Sequence, residues 1–364
     1  MRIIDGDGHV VEDFAAIEKF LPADLVRMGA LRALFPPLDH FHTFVGQTPP
    51  GSFRRDVGPE QWLEFLDDLG IESTVLYPTV GLAYGRIFHC DWAIAACRAY
   101  NDWIHEQYLA RSPRFQAAAL IPMQEPAEAA KELRRAVAAL GFCGAMLPST
   151  GLPEQLGAKA YWPVYAEADR LGCALAVHGG SHSGLGMDHM NVYSPVQALG
   201  HPMGLAINFA GIVFNGVLDR FGNARFGFME GGVAWVMMAD ERFERGHRTH
   251  FQYNPRSELA PAADQSVSDY IRRHVREGRL FFGCEGDEPL MAEAIRALGS
   301  GAFIYSSDFP HEVNNESCRH EIAEFLDNPA ISAADKAAVM HGNAERFYGL
   351  KAAALIAPAQ GAVA

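Results

Sequence analysis

Positive charge is what this chain has least of. Across 364 residues, 30 Lys and Arg stand against 44 Asp and Glu, leaving a net charge of −14. A chain of that sign is repelled by the phosphate backbone of nucleic acid and by anionic membrane headgroups, so neither is expected as a partner. A small anionic substrate is not excluded, because it responds only to the local field of its pocket. Cysteine is sparse as well. Cys90, Cys97, Cys143, Cys173, Cys284 and Cys318 are scattered with no Cys-x-x-Cys pair, which fits free thiols in a reducing cytosol better than a secreted disulfide framework. No run of about 18 apolar residues is present to span a membrane. The opening Met1-Arg2-Ile3-Ile4-Asp5 carries no secretory signal. The expectation is a cytoplasmic protein.

Hydrophobic residues make up 49% and charged residues 20% of the chain, enough to bury a sizeable core. Short apolar runs alternate with amphipathic stretches. The strand candidates are 3–5, 74–77, 116–121, 144–147, 174–177, 225–229, 280–283 and 303–306. They lack the in/out alternation of a half-exposed sheet, as strands buried on both faces do. Helical stretches fall at 62–69, 92–110, 126–139, 162–171, 205–221, 235–243, 289–298 and 333–347. A strand–helix unit repeated eight times closes most naturally, through right-handed crossovers, into an α/β fold of the (β/α)8 TIM-barrel type. An open doubly wound sheet would carry a glycine-rich phosphate loop after its first strand, and none is present. Residues 1–351 read as one domain and 352–364 as a frayed tail. Segments 20–58, 179–203 and 244–270 break the repeat and read as long βα loops or small insertions at the C-terminal face.

Chemistry collects where the strands end. Asp5-Gly6-Asp7-Gly8-His9-Val10-Val11-Glu12 follows the first strand. In an extended chain Asp5, Asp7 and His9 share one face, and a carboxylate with an imidazole suits one divalent cation. The same Asp-Gly pairs also read as a tight turn. His178 closes the fifth strand, Glu230 the sixth, Glu285 the seventh, and Ser306-Ser307-Asp308-Phe309-Pro310-His311 the eighth. Singly, His178 reads as a structural histidine and Asp308 as a helix cap. Together at one barrel mouth, such groups are costly unless a cation or mutual hydrogen bonds compensate them.

With these marks in place, the chain resembles the amidohydrolase-related group that includes aminocarboxymuconate-semialdehyde, γ-resorcylate and 5-carboxyvanillate decarboxylases. The resemblance covers essentially the full length. It rests on Asp-x-Asp-x-His-x-x-Glu (5–12), Val-His-Gly (177–179), Glu-Gly-Gly-Val-Ala-Trp (230–235), Ser-Asp-Phe-Pro-His (307–311) and Gly342-Asn343-Ala344-Glu345-Arg346-Phe347-Tyr348. It implies one divalent ion, zinc first and manganese, iron or cobalt otherwise, held by Asp7, His9, His178 and Asp308. It also implies a small-molecule substrate and a homodimer or higher homo-oligomer. Relatives place a catalytic histidine where this chain has Glu230, and a carboxylate there repels a departing CO2 group.

That departure favours a metal-dependent hydrolase of a small carboxylated substrate. Asp308 would work on a metal-bound water and Glu230 on the leaving group. The alternative is a metal-dependent non-oxidative decarboxylase of an aromatic or ring-derived acid. A non-catalytic barrel is the third reading, against which the intact ligand set argues. Substrate contacts are expected from Arg242 or Arg245, in their own subunit or a neighbour's, and from His182, His311, Glu12 and Trp235. His189 and His201 are further candidates in the loop after the fifth strand. For the arginines the competing reading is a solvated helix face with mixed charges.

Overall fold

The structure is a computed structural model and describes residues 1–27, 34–45, 56–253 and 260–350. Eight strands pair in parallel in the order β1 to β8: β1 Ile4–Val10, β2 Ser73–Pro78, β3 Phe115–Leu120, β4 Gly144–Pro148, β5 Ala174–His178, β6 Arg225–Met229, β7 Leu280–Cys284 and β8 Phe303–Tyr305. Two backbone hydrogen bonds join the last strand end to the first. Asp308 N–H donates to the Asp7 carbonyl (3.0 Å) and His9 N–H to the Phe309 carbonyl (2.7 Å). The barrel therefore closes at its C-terminal mouth, through the residues that carry the chemistry. The expected (β/α)8 architecture is the one observed.

The crossover helices are α1 Pro59–Leu69, α2 Cys90–Ile104, α3 Pro126–Ala139, α4 Trp162–Leu171, α5 Tyr193–Phe214, α6 Ala234–His250, α7 Val267–Arg276, α8 Met291–Leu298, α9 Asn315–Asp327 and α10 Asn343–Tyr348. Start and stop signals sit where sequence chemistry puts them. Proline opens α1, and Gly70 and Gly172 end α1 and α4 in the left-handed conformation that a side chain disfavours. Between the sheet and these helices lies one buried apolar layer that includes Trp62, Phe65, Phe228 and Phe282.

Three expectations need correction. The Asp-Gly-Asp-Gly segment is not a turn: β1 runs through it as a fully buried strand, with its register to β2 shifting between Asp5 and Gly8. The shift breaks the alternation that would have placed Asp5 beside Asp7. The loop expected at 179–203 already turns helical at Tyr193. The polar stretch 244–270 holds the end of α6 and the start of α7. Helix α5 is long and apolar enough to cross a membrane by length and composition. It nonetheless lies between β5 and β6 and buries Val196, Leu205, Phe209, Ile212 and Val213. Part of the 20–58 insertion and the tail fall outside the described residues.

Candidate active site

His9, at the end of β1, donates its Nδ1–H to the Pro78 carbonyl (2.7 Å). His178, at the end of β5, likewise reaches the Gly179 carbonyl through Nδ1 (2.9 Å). A neutral imidazole that donates at Nδ1 has a bare lone pair at Nε2. Both Nε2 atoms face carboxylates, and that of His178 is within hydrogen-bond distance of one. His178 Nε2 is 3.1 Å from Asp7 Oδ1. His9 Nε2 is 3.6 Å from Asp7 Oδ1, 3.3 Å from Asp308 Oδ1 and 3.9 Å from Glu230 Oε2. Among the described residues, His9 Nε2 and Glu230 Oε2 are buried without a hydrogen-bond partner. Lone pairs converging on lone pairs out of water are unfavourable unless a cation or proton lies between them.

The donor atoms of Asp7, His9 and His178 lie within 4.8 Å of one another, and His9 with Asp308 and His311 forms a second such group. Two carboxylates and two imidazoles, shared across the four expected ligands, fit a divalent ion of borderline or hard character. Both strand-six and strand-eight carboxylates are held in the left-handed region, Glu230 at φ 57° and Asp308 at φ 54°. That conformation costs a non-glycine residue on the order of 1–3 kcal/mol and concentrates at functional sites.

Protonation follows from the same crowding. Burial, then the neighbouring His311 and His178, depress the His9 pKa well below its ordinary value and keep it neutral. Burial raises the Glu230 pKa far above that of a free glutamate, and the Asp308 and Asp7 charges push it further. Burial alone would neutralise His311, but Asp308, 2.7 Å from its Nδ1, wins and raises its pKa. Its other nitrogen meets Thr79 Oγ1 (3.1 Å), whose hydroxyl donates to the Val10 carbonyl. His311 is therefore a donor on both sides.

An open cleft of about 670 Å3 over this centre is bordered by Tyr193, Gln197, His201, Glu230, Asp308 and Glu312. It adjoins an inner pocket of about 60 Å3 lined by His42, Thr79, Leu82, His182, His201 and His311. Among the described residues neither cavity is lined by a Lys or Arg.

Of the substrate-facing residues expected from sequence, His182 and His311 reach the inner pocket. Glu12 does not: its carboxylate accepts the backbone N–H groups of Thr79, Val80 and Gly81 (3.1, 3.2 and 2.8 Å) and anchors the loop after β2. Trp235 is buried among Phe209, Phe228 and Phe282 as core packing. Arg242 and Arg245 are exposed on α6 and line neither cavity of their own chain. Asp5 is taken up by Thr74 Oγ1 (2.7 Å) and by the N–H and hydroxyl of Ser307 (2.8 and 2.9 Å). Asp39 and His42 were not picked out by sequence. Asp39 precedes a helix and accepts the His42 N–H, a capping signal that says nothing of a pocket.

The sequence profile of the amidohydrolase family matches residues 4–350. A γ-resorcylate decarboxylase of Rhodococcus jostii is 26% identical over 310 residues, covering 79% of this chain and 86% of the relative. The 5-carboxyvanillate decarboxylase of Sphingomonas paucimobilis superposes with a TM-score of 0.76 at 20% identity, over 96% of this chain and 99% of that one. The dihydroxybenzoic acid decarboxylase of Polaromonas, solved with manganese and 2-nitroresorcinol, gives a TM-score of 0.68 at 20% identity, over 96% and 97% of the two chains. These relatives release CO2 rather than add water, so the expectation of a hydrolase, drawn from the charge of Glu230, is corrected. A strand-six carboxylate is compatible with this company because burial and its neighbours favour its neutral form. By the extent of the profile match, the chain belongs to the amidohydrolase family.

Proposed function

We propose that this protein is a divalent-metal-dependent, non-oxidative decarboxylase of an aromatic or ring-derived carboxylic acid. One observation carries the reading. The Nε2 atoms of His9 and His178 meet the Asp7 and Asp308 carboxylates at the floor of a cleft that, among the described residues, no Lys or Arg lines. A cation at that point is the natural anchor for an anionic substrate. Asp7, His9, His178 and Asp308 would hold it. Manganese, which tolerates carboxylate-rich ligation, is the preferred ion ahead of zinc, in line with the manganese of the Polaromonas relative. When bound, such an ion would supply Lewis acidity toward an anionic substrate.

The chain's own groups handle the proton. His311 donates to Asp308 and has a raised pKa, so the pair holds a proton beside the ring carbon that bears the carboxylate. Protonation there lets the carbon–carboxylate bond break, with its electron pair returning to the ring and CO2 leaving. Glu230, neutral by its surroundings, avoids repelling the departing group.

The test is turnover of hydroxylated benzoic acids by manganese-loaded protein in D2O. Release of CO2 with one solvent deuterium at the vacated carbon is expected. Oxygen from water in the product, or no CO2 from any member of the panel, would overturn the reading.

A further inference from the structure

One buried carboxylate organises the inner pocket. Asp39 is 1% exposed; its Oδ1 lies 2.9 Å from His42 Nδ1 and its Oδ2 lies 3.0 Å from His182 Nδ1. The backbone N–H of His42 also donates to Oδ1 (3.0 Å). Burial opposes the charge of Asp39, but the hydrogen bonds from His182 and His42 overcome it and hold the carboxyl far below its ordinary value. An ionised carboxylate only accepts, so both imidazoles donate to it from Nδ1, and in its neutral form such a ring presents a lone pair at Nε2. Among the described residues, His182 Nε2 is buried with no hydrogen-bond partner.

The surrounding backbone fixes these rings. His182 N–H and Ser181 Oγ both donate to the Leu38 carbonyl (3.2 and 3.0 Å), joining the loop after β5 to the loop after β1. Two glycines then admit two histidines in reciprocal fashion. A Cβ on Gly200 would stand 2.0 Å from His182 Cδ2, and one on Gly179 would stand 2.3 Å from His201 Nδ1. The His182 and His201 rings meet edge to face at 4.9 Å. The result is a small rigid wall next to His311, which is itself hydrogen-bonded to Asp308.

We propose that the Asp39–His42–His182 cluster is a specificity subsite that accepts a hydrogen bond from a hydroxyl on the substrate ring, and so fixes which ring edge faces the ion. A pocket of about 60 Å3 suits one small substituent rather than a second ring. Lone pairs at its wall favour an O–H donor over a carboxylate or an ether. A site built to pair with a hydroxyl discriminates strongly against analogues that lack it, because its buried acceptor is then left unpaired.

The proposal rests on the decarboxylase reading only for its choice of an aromatic probe. Binding of phenol and of anisole to the manganese-loaded protein is measured by calorimetry, for wild type, His42→Phe, His182→Phe, the double variant and Asp39→Asn. Phenylalanine keeps a ring over Gly200 while deleting the acceptor, and asparagine caps the following helix as well as aspartate does. Unchanged manganese affinity reports that each variant is folded around its ion. Wild type is expected to prefer phenol by roughly tenfold or more, the range of one hydrogen bond to a buried acceptor. That ratio should fall toward one in the double variant and in Asp39→Asn. Wild type binding phenol no better than anisole, or a preference that survives in the double variant, would overturn the subsite. Failure to release CO2 from any ring acid would remove the decarboxylase reading while leaving this binding result intact.

Discussion

Asp5 and Asp7 are neighbours but one on β1, yet only Asp7 faces the imidazole Nε2 atoms, because the strand shifts register between them. Asp5 instead fastens β1 to β2 and to the end of β8 through Thr74 and Ser307. On the proposed decarboxylase reading, Asp308 is the residue on which the chemistry turns, since it lies against both His9 Nε2 and His311. Asp308→Asn removes the proton-holding carboxyl while preserving shape, so turnover should drop ~10²–10⁴-fold, the usual value of a positioned acid. Circular dichroism should be unchanged, and retention of most activity would remove the role. Asp7, His9, His178, Glu230 and Asp308 were legible in the sequence because each stands at a strand end, where the chain direction alone decides the face. Glu12 and Trp235 are engaged in a loop anchor and in core packing, and Arg242 and Arg245 line neither cavity of their own chain, because these side chains lie on helices and loops whose paths local sequence does not fix. Asp39 and His42 were missed for the same reason: their meaning depends on the β5 loop crossing over them.

At the level of elements, the sheet was readable from its apolar runs, while the first half of α5 and the whole of α7 were not. Gly200, Pro202 and Gly204 punctuate the first half of α5 and imitate a loop. In the structure Gly200 admits His182, and a Cβ on Gly204 would lie 2.8 Å from Ser149 Oγ. The buried stripe of α7, Val267, Tyr270, Ile271, His274 and Val275, has helical spacing, but its charged neighbours hid it. A pair of glycine substitutions tests the packing explanation. Gly246 lies in α6 with open space around it, so Gly246→Ala should stabilise by about 0.4–1 kcal/mol through the unfolded chain. Gly200→Ala gains the same helical preference but drives a methyl into the His182 ring, and overpacking costs about 1–3 kcal/mol. Thermal unfolding should therefore shift up for the first and down for the second. An upward shift for Gly200→Ala would show that the interlock with His182 is loose.

Across the whole molecule, the mouth of the barrel concentrates acid that burial resists ionising, and this sets a pH dependence for the metal-free protein. Burial pushes the Glu321 pKa up to about 7, helped by the Asp287 and Asp308 charges, while Glu230 and His311 are also raised. A group with a raised folded pKa binds more protons when folded, so its stabilisation is present at low pH and is lost as pH climbs toward the folded value. His9 and His201, whose pKa values burial depresses, act in the opposite sense. Their stabilisation is lost only as pH falls below the ordinary histidine value, so above about pH 6.5 their contribution is constant. The window from about pH 6.5 to 8.5 is therefore governed by raised groups, among them Glu285, pushed up to about 8, Glu321, Glu230 and His311, and the metal-free Tm should fall steadily across it. Manganese should reverse the trend, because a cation needs the carboxylates ionised and its binding releases their protons. At a hundredfold excess over its Kd an ion adds about 2.7 kcal/mol, so the gap between loaded and metal-free Tm should widen with pH. A metal-free Tm that rises through this window would mean that the buried carboxyls ionise freely, and the case for a cation at their centre would lose its electrostatic basis.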